Sequence, residues 1–293
     1  MPLFKPYSCY SKKDLSDYLK KHNIALTKKR GQNFLIDPNV LNKLVKSLQM
    51  GQEDWVVEIG GGLGHLTKFI AETKAKIVVF EVDKKLAQLL KEQFKSFPQV
   101  QIVWIDFLKA SLRDYIPKLP QKIKILANLP YYLTTPIIER CFRNRKSIES
   151  IVVTVQKELA ERVIARAGTS QYGSLSVFCQ SYSKPTLLFS ISKHVFYPKP
   201  DVESAVLNFD LNDDSSEIMD DTLFRDVLKS VFSMRRKTLY NSLLKSPFIA
   251  LGQEEVMESL ERCSIPPNLR GEELLPAQFI KLANTIYIKK NNG

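Results

Sequence analysis

The chain has 293 residues and is 44% hydrophobic, enough to bury the core of one large domain and a smaller second one. Lys+Arg 43 against Asp+Glu 31 leaves a net charge of +12, which points to a polyanionic partner, nucleic acid before an anionic membrane. No stretch approaches the ~20 apolar residues of a membrane span, and Met1 to Asp14 lacks the apolar core of a secretion signal, so cytoplasmic residence is the default expectation.

In chain order, Ser11-Lys12-Lys13-Asp14 reads as a capping box opening a short helix with Leu15, Tyr18 and Leu19 on its apolar stripe. A basic turn follows, from Lys28-Lys29-Arg30-Gly31 through Gln32-Asn33-Phe34-Leu35. Asp37 then caps a second helix with Pro38 at its first position and Val40, Leu41, Leu44, Val45 and Leu48 on one face. From Trp55 the pattern changes to short apolar runs at 55–59, 77–82, 101–105, 123–127 and 151–155, separated by stretches of helical spacing. Runs apolar on both faces belong to a covered parallel sheet, so the expected fold is doubly wound α/β. Two more runs, 186–190 and 205–211, read as an antiparallel pair at one edge, for seven strands in all. The acidic stretch 212–217 reads as a linker. Beyond it the periodicity is helical, with Phe224, Val227, Leu228, Val231 and Phe232 as a stripe. The expected domains are therefore 1–211, with a helical extension over 1–50, and a small α-helical domain over 212–293.

Three strand ends carry candidate ligand residues. Glu58-Ile59-Gly60-Gly61-Gly62-Leu63-Gly64 brings backbone close to a ligand, but its glycines alternate and do not match the dinucleotide pattern G-x-G-x-x-G. Glu81 follows about 20 residues on, where an acid can hold ribose hydroxyls; its bland alternative is an ion pair with Lys84 or Lys85. Asp106 closes the third strand and can accept from an adenine amine, or simply cap a helix. The fourth strand ends in Asn128-Leu129-Pro130-Tyr131. The Asn128 side-chain oxygen and the Leu129 carbonyl can hold both hydrogens of an adenine N6 amine, Pro130 restricts the residue before it, and Tyr131 can stack on the base. An ordinary turn is the bland reading of these four residues. Phe196, in the rigid loop Phe196-Tyr197-Pro198-Lys199-Pro200, is a candidate second wall for the base, or a core aromatic. Cys9, Cys141, Cys179 and Cys263 are far apart and the histidines scattered, so neither a disulfide framework nor a metal is expected. The clusters at 28–30 and 235–237 favour RNA or DNA contact, although consecutive cations on a helix fan apart.

These motifs, together with Val155-Gln156-Lys157-Glu158 and Arg235-Arg236-Lys237-Thr238-Leu239, occur in an order that resembles the small-subunit ribosomal RNA adenine dimethyltransferases, nearly along the whole chain. That family has a Rossmann-like S-adenosylmethionine-dependent methyltransferase fold with a seven-stranded, mostly parallel sheet and a C-terminal helical domain. The resemblance implies that Asn33, Leu35, Gly60, Glu81, Asp106 and Asn128 contact S-adenosylmethionine. It also implies dimethylation of two adjacent adenosines in the 3′-terminal hairpin of 16S rRNA, on an assembling 30S subunit; a monomer is the default expectation, and the sequence leaves the oligomeric state open. Relatives often carry proline and alanine where this chain has Gly61 and Gly64, which implies a more flexible turn here. Two other readings stay open. One is a large-subunit adenine methyltransferase of the erythromycin-resistance type, against which Leu129 and the 235–239 motif argue. The other is a nucleic-acid-binding assembly or transcription factor on the same fold.

Overall fold

A computed structural model describes residues 10–24, 26, 32–115, 122–211 and 218–292, so the basic cluster at 28–30, Cys9 and the acidic stretch at 212–217 lie outside the described residues. The chain forms two compact units, Met1–Ala160 with Thr186–Leu211, and Glu161–Pro185 with Asn212–Gly293. This division does not follow a single cut at 211, because residues 161–185 join the second unit.

The first unit opens with α1 (Lys12–Lys21), whose N-terminus is capped by the Ser11 hydroxyl accepting from the Asp14 amide at 3.1 Å. Leu15, Tyr18 and Leu19 are buried, as the spacing predicts. After β1 (Phe34–Leu35), the Asp37 carboxylate accepts from the Asn39 and Val40 amides and starts α2 (Pro38–Ser47), with Leu41, Leu44 and Val45 inward. The alternation that follows is β2 (Trp55–Ile59), α3 (His65–Glu72), β3 (Lys76–Glu81), α4 (Lys84–Gln93), β4 (Val100–Trp104), α5 (Leu112–Tyr115), β5 (Ile123–Asn128), α6 (Thr134–Arg143) and β6 (Ile148–Gln156). Next come α7 (Lys157–Val163), α8 (Ser174–Tyr182), β7 (Lys184–Ile191), β8 (Phe196–Tyr197) and β9 (Ser204–Asp210).

Among the described residues one sheet has seven strands in the order β4-β3-β2-β5-β6-β9-β7. The pairs β2/β3, β2/β5, β3/β4 and β5/β6 are parallel, and β9 runs antiparallel to β6. The expected doubly wound sheet is thus present, with its last strand seated between β6 and β7. A second ladder was not legible in the sequence: β1 pairs antiparallel with β8, Phe34 opposite Tyr197 and Leu35 opposite Phe196. Two-residue strands carry no periodic signal of their own, so only the folded chain brings these together.

In the second unit, α8 and the helices α9 (Asp221–Ser233), α10 (Leu239–Leu244), α11 (Gln253–Cys263) and α12 (Pro276–Asn292) enclose an aromatic core. Phe224 and Phe279 are fully buried, and Phe232 stacks on Phe279 with ring centroids 5.6 Å apart. The segment 161–185 belongs here because its side chains bond here: the Tyr172 hydroxyl donates to the Leu274 carbonyl at 2.8 Å and the Tyr182 hydroxyl to Asp221 at 2.6 Å.

The motif Arg235-Arg236-Lys237-Thr238-Leu239 is mostly structural in this unit. Arg235 pairs with Glu272 at 2.9 Å and donates to the Ser170 and Tyr172 carbonyls at 2.7 and 2.9 Å. Thr238 caps α10 and Leu239 is fully buried. Arg235 keeps 44% of its side chain exposed despite these bonds, and Arg236 and Lys237 are exposed beside it. Arg235→Ala should therefore lower the unfolding free energy of the full chain by about 1–3 kcal/mol through three lost charge-assisted bonds, while Arg236→Ala changes it by less than ~0.5 kcal/mol, as read from urea or thermal melts.

Candidate active site

Parallel pairing puts the carboxyl ends of β2, β3, β4 and β5 along one edge, and the loops leaving those ends enclose a cavity of about 320 Å³. Its size suits a nucleoside-sized ligand. All six residues singled out as donor contacts line it: Asn33, Leu35, Gly60, Glu81, Asp106 and Asn128.

The glycine turn shapes one wall. Gly60, Gly62 and Gly64 have φ of +81°, +55° and +85°, conformations that side-chain-bearing residues avoid. Among the described residues nothing lies within 4 Å of where a Cβ on Gly60 would stand, so a ligand can approach this backbone directly. Gly61 and Gly64 have a packing reason beyond loop flexibility. A Cβ on Gly61 would sit 2.5 Å from Val79 Cγ1, and one on Gly64 2.8 Å from Phe94 and 2.9 Å from Gln93.

Glu81 is 5% exposed and holds two loops together, Oε2 accepting from the Gly62 amide at 2.9 Å and Oε1 from the Asp83 amide at 2.8 Å. Its partners are backbone amides and not Lys84 or Lys85, which removes the surface ion-pair reading. Burial raises its pKa and those amides offset part of the rise. Asp106 does cap a turn, Oδ1 accepting from the Leu108 amide at 2.9 Å, and it still lines the cavity, so both readings of this residue hold at once.

Asn128 is oriented by its amide: Nδ2 donates to the Asn33 carbonyl at 2.9 Å, leaving the side-chain oxygen as the acceptor. This bond joins the segment before β1 to the end of β5. Leu129 is buried, and after Pro130 a single 3-10 turn spans Tyr131–Leu133. The Tyr131 ring is half-buried and its hydroxyl lies 2.8 Å from Ser204 Oγ at the start of β9. Burial raises the Tyr131 pKa, Ser204 opposes the rise and Glu203 adds to it. Asn128, Leu129 and Pro130 line the cavity, whereas the aromatic that lines it beside them is Tyr132, 58% exposed. Sequence reasoning passed over Tyr132, although a second tyrosine directly after Asn-Leu-Pro-Tyr was the available signal.

Of the two readings of Phe196, its position in the structure matches the core aromatic. It is fully buried among Leu35, Leu41, Leu44 and Val206 and does not line the cavity. The β1/β8 ladder turns its ring into the core and leaves Tyr197 partly exposed on the other side, so Phe196 is no free second wall for a base.

Glu58 is the other residue the cavity adds. It sits in the middle of the sheet on β2, 1% exposed, and neither carboxylate oxygen has a hydrogen-bond partner. Burial pushes its carboxyl up to about 8; Thr67 beside it opposes the rise, without a hydrogen bond of ordinary geometry, and Glu81 adds to it. Among the described residues no group of three His, Cys, Asp or Glu side chains is placed to hold a metal ion, and no helix is long and apolar enough to cross a membrane.

The sheet order and a glycine-turn cavity walled by strand-end acids define a Rossmann-like S-adenosylmethionine-dependent methyltransferase. The model of the family described as "Ribosomal RNA adenine dimethylase" matches residues 23–286. The chain belongs to that family. It is 37% identical over 273 residues to the ribosomal RNA small subunit methyltransferase A of Shouchella clausii, covering 92% of each chain. To the protein of that name from Caldanaerobacter subterraneus it is 40% identical over 264 residues, 89% of this chain and 97% of that one. Among solved structures, a dimethyladenosine transferase from Plasmodium falciparum superposes with a TM-score of 0.74 at 22% identity, covering 87% of this chain and 97% of that one. The 23S rRNA methyltransferase ErmE gives 0.62 at 21%, covering 87% and 99%. These two likenesses show the shared fold.

The raised carboxyl of Glu58 has a consequence for stability. A group whose folded pKa lies above its ordinary 4.5 contributes stability that is fully present below that value and lost as pH rises through about 8. The ligand-free protein should lose melting temperature as pH rises from about 4.5 to about 8 and level off above that, and Glu58→Gln should flatten the loss, measured as the difference between the two melting curves at each pH.

Proposed function

We propose that this enzyme dimethylates N6 of adenosine in small-subunit rRNA, at two adjacent adenosines of the 3′-terminal hairpin of 16S rRNA, on the assembling 30S subunit in the cytoplasm and as a monomer. The target is supported by the names of the relatives above, matched over nine-tenths of the chain at 37–40% identity. The observation that carries the chemistry is the Asn128–Asn33 hydrogen bond, because it fixes which end of the Asn128 amide is free to accept.

S-adenosylmethionine supplies an electrophilic methyl group on sulfonium. The chain's own residues have to make an adenine amine nucleophilic, since its lone pair is delocalised into the ring. The Asn128 oxygen and the Leu129 carbonyl each accept one amine hydrogen, which turns the lone pair out of conjugation and aims it at the cavity. Pro130 restricts the conformation of Leu129 and so the direction of its carbonyl. Tyr131, anchored through Ser204, offers a ring on which the base stacks. Gly60, Glu81 and Asp106 hold the donor, Glu81 by a carboxylate already fixed by two backbone amides. No general base is needed, because the methylated amine is acidic and releases its proton to water. Residues 212–293, with exposed Arg236 and Lys237, supply contacts to the subunit.

The assay supplies labelled S-adenosylmethionine with unmethylated small subunits, large subunits or naked RNA and maps dimethyladenosine by mass spectrometry. Label on small-subunit RNA is expected, and label on large-subunit RNA overturns the assignment in favour of the erythromycin-resistance type. Asn128→Ala should abolish transfer while retaining the fold. Tyr131→Ala should cost about 10- to 100-fold in kcat/KM through lost stacking, and Tyr131→Phe, which keeps the ring, should cost less.

A further inference from the structure

The helix that leaves the Asn128-to-Tyr131 stretch also holds the turn that follows β4. Leu133 and, one turn into α6, Ile137 line the cavity. Arg140 comes three residues later on the same face of α6 and reaches across to that turn. Its Nη2 donates to the Ala110 carbonyl, and its guanidinium carbon lies 5.9 Å from the centre of the Phe107 ring, a cation–π contact. Phe107 lines the cavity and packs edge-on against Phe80 of β3, with ring centroids 5.5 Å apart. The turn itself is one hydrogen-bonded unit. The Asp106 carbonyl accepts from the Lys109 and Ala110 amides at 2.9 and 3.1 Å, and Asp106 Oδ1 accepts from the Leu108 amide at 2.9 Å. Arg140 therefore bonds the residue that closes the turn on Asp106. This placement has a cost: among the described residues Arg140 Nε is buried with no hydrogen-bond partner, where an apolar side chain would leave nothing unpaired. Stability alone does not favour a guanidinium there.

We propose that Arg140 is a positioning residue for the methyl donor: gripping Ala110 and the Phe107 ring from α6, it sets the Asp106 carboxylate and the Phe107 ring where they receive the donor's base. Arg140 does not line the cavity, so it acts on the donor only through the 106–110 turn. The bonds inside that turn fix its shape, and the grip from α6 fixes its distance from the end of β5. Because α6 continues directly from the residues that hold the adenine amine, the donor's base and the amine-holding amide are both located from one helix. The inference rests on the use of S-adenosylmethionine, with Asp106 as the partner of its base, and not on the identity of the RNA.

The test is titration of the full-length protein with S-adenosylhomocysteine and with 5′-deoxy-5′-methylthioadenosine, which keeps the base and ribose and lacks the amino-acid end. Arg140→Met, similar in reach but without the charge and the donors, should raise both Kd values by the same factor of about tenfold. Arg140→Lys, which can still meet a carbonyl and a ring face, should recover most of the affinity. In methyl transfer the KM for S-adenosylmethionine should rise in Arg140→Met while kcat at saturating donor changes less than about threefold. A purely architectural arginine would instead lower the melting temperature and leave both Kd values alone. Unchanged Kd values in a folded Arg140→Met, or weaker S-adenosylhomocysteine with methylthioadenosine unaffected, overturns the proposal. Should Arg140→Met fail to fold, hydrogen exchange in the wild type decides. The amides of 106–110 and those of the last turn of α6, 140–143, which lies outside the cavity lining, should gain protection together when S-adenosylhomocysteine binds, and protection of 106–110 alone overturns the proposal. A wild type that binds neither nucleoside contradicts the methyltransferase reading itself, whereas binding indifferent to residue 140 removes only the role of Arg140.

Discussion

The parallel pairing of β2 with β3 on one side and β5 on the other is the constraint on which the site depends. Glu58 faces Val79 and Leu126 in register, and Ile59 faces Phe80 and Ala127, so the strands run out together. The next residues along each are Gly60, Glu81 and Asn128. No loop has to reach far to bring the glycine turn and the Asn128 amide side by side; hydrogen-bonded register does it. A slip of one residue between β2 and β5 would turn every side chain of one strand to the opposite face and separate the glycine turn from Asn128.

A second constraint closes the cavity from the amino-terminal side. The β1/β8 ladder fixes Phe34 and Leu35, the Asn33 carbonyl takes the Asn128 amide, and Phe34 lies against Gly62 closely enough that a Cβ there would approach its ring to 2.8 Å. The segment before the first long strand is thereby part of the wall. The same ladder explains why Phe196 packs inward: opposite Leu35, with successive side chains alternating across a strand, it joins the main core, while Tyr197, opposite Phe34, is partly buried against the smaller cluster on the other side. Core packing and site construction are one event here.

Several features were legible in the residues for identifiable reasons. Ser11 and Asp37 cap helices because short polar side chains before apolar stripes have little else to do, and both are found capping. The five parallel strands of the sheet were visible as apolar runs, with ends displaced by a few residues, because burial on both faces leaves an unbroken signature. The motif at 235–239 was visible too, but its meaning was not. Arg235 reads as a free cation in sequence and proves to bond Glu272 and two carbonyls far from it along the chain. Tyr131 and Tyr132 are adjacent and chemically alike, and only the 3-10 turn decides that one is tied to Ser204 while the other lines the cavity.

By itself the sequence determined the class of fold and the chain order of the strand-end motifs, because these follow from local residue type and short-range periodicity. The tertiary structure decided what depends on contacts between residues far apart: the two-residue ladder that closes the cavity, the membership of 161–185 in the helical unit, the inward turn of Phe196 and the orientation of the Asn128 amide. It also separated two charges that look alike in the sequence, Lys124 and Glu58, each a single ionisable residue in an apolar strand. The first is surrounded by Asp54, Glu149 and the Gln49 carbonyl, and the second is buried beside Thr67 and another acid, Glu81. Solvation and partners set the energy of a buried charge, and neither is written in the neighbours along the chain.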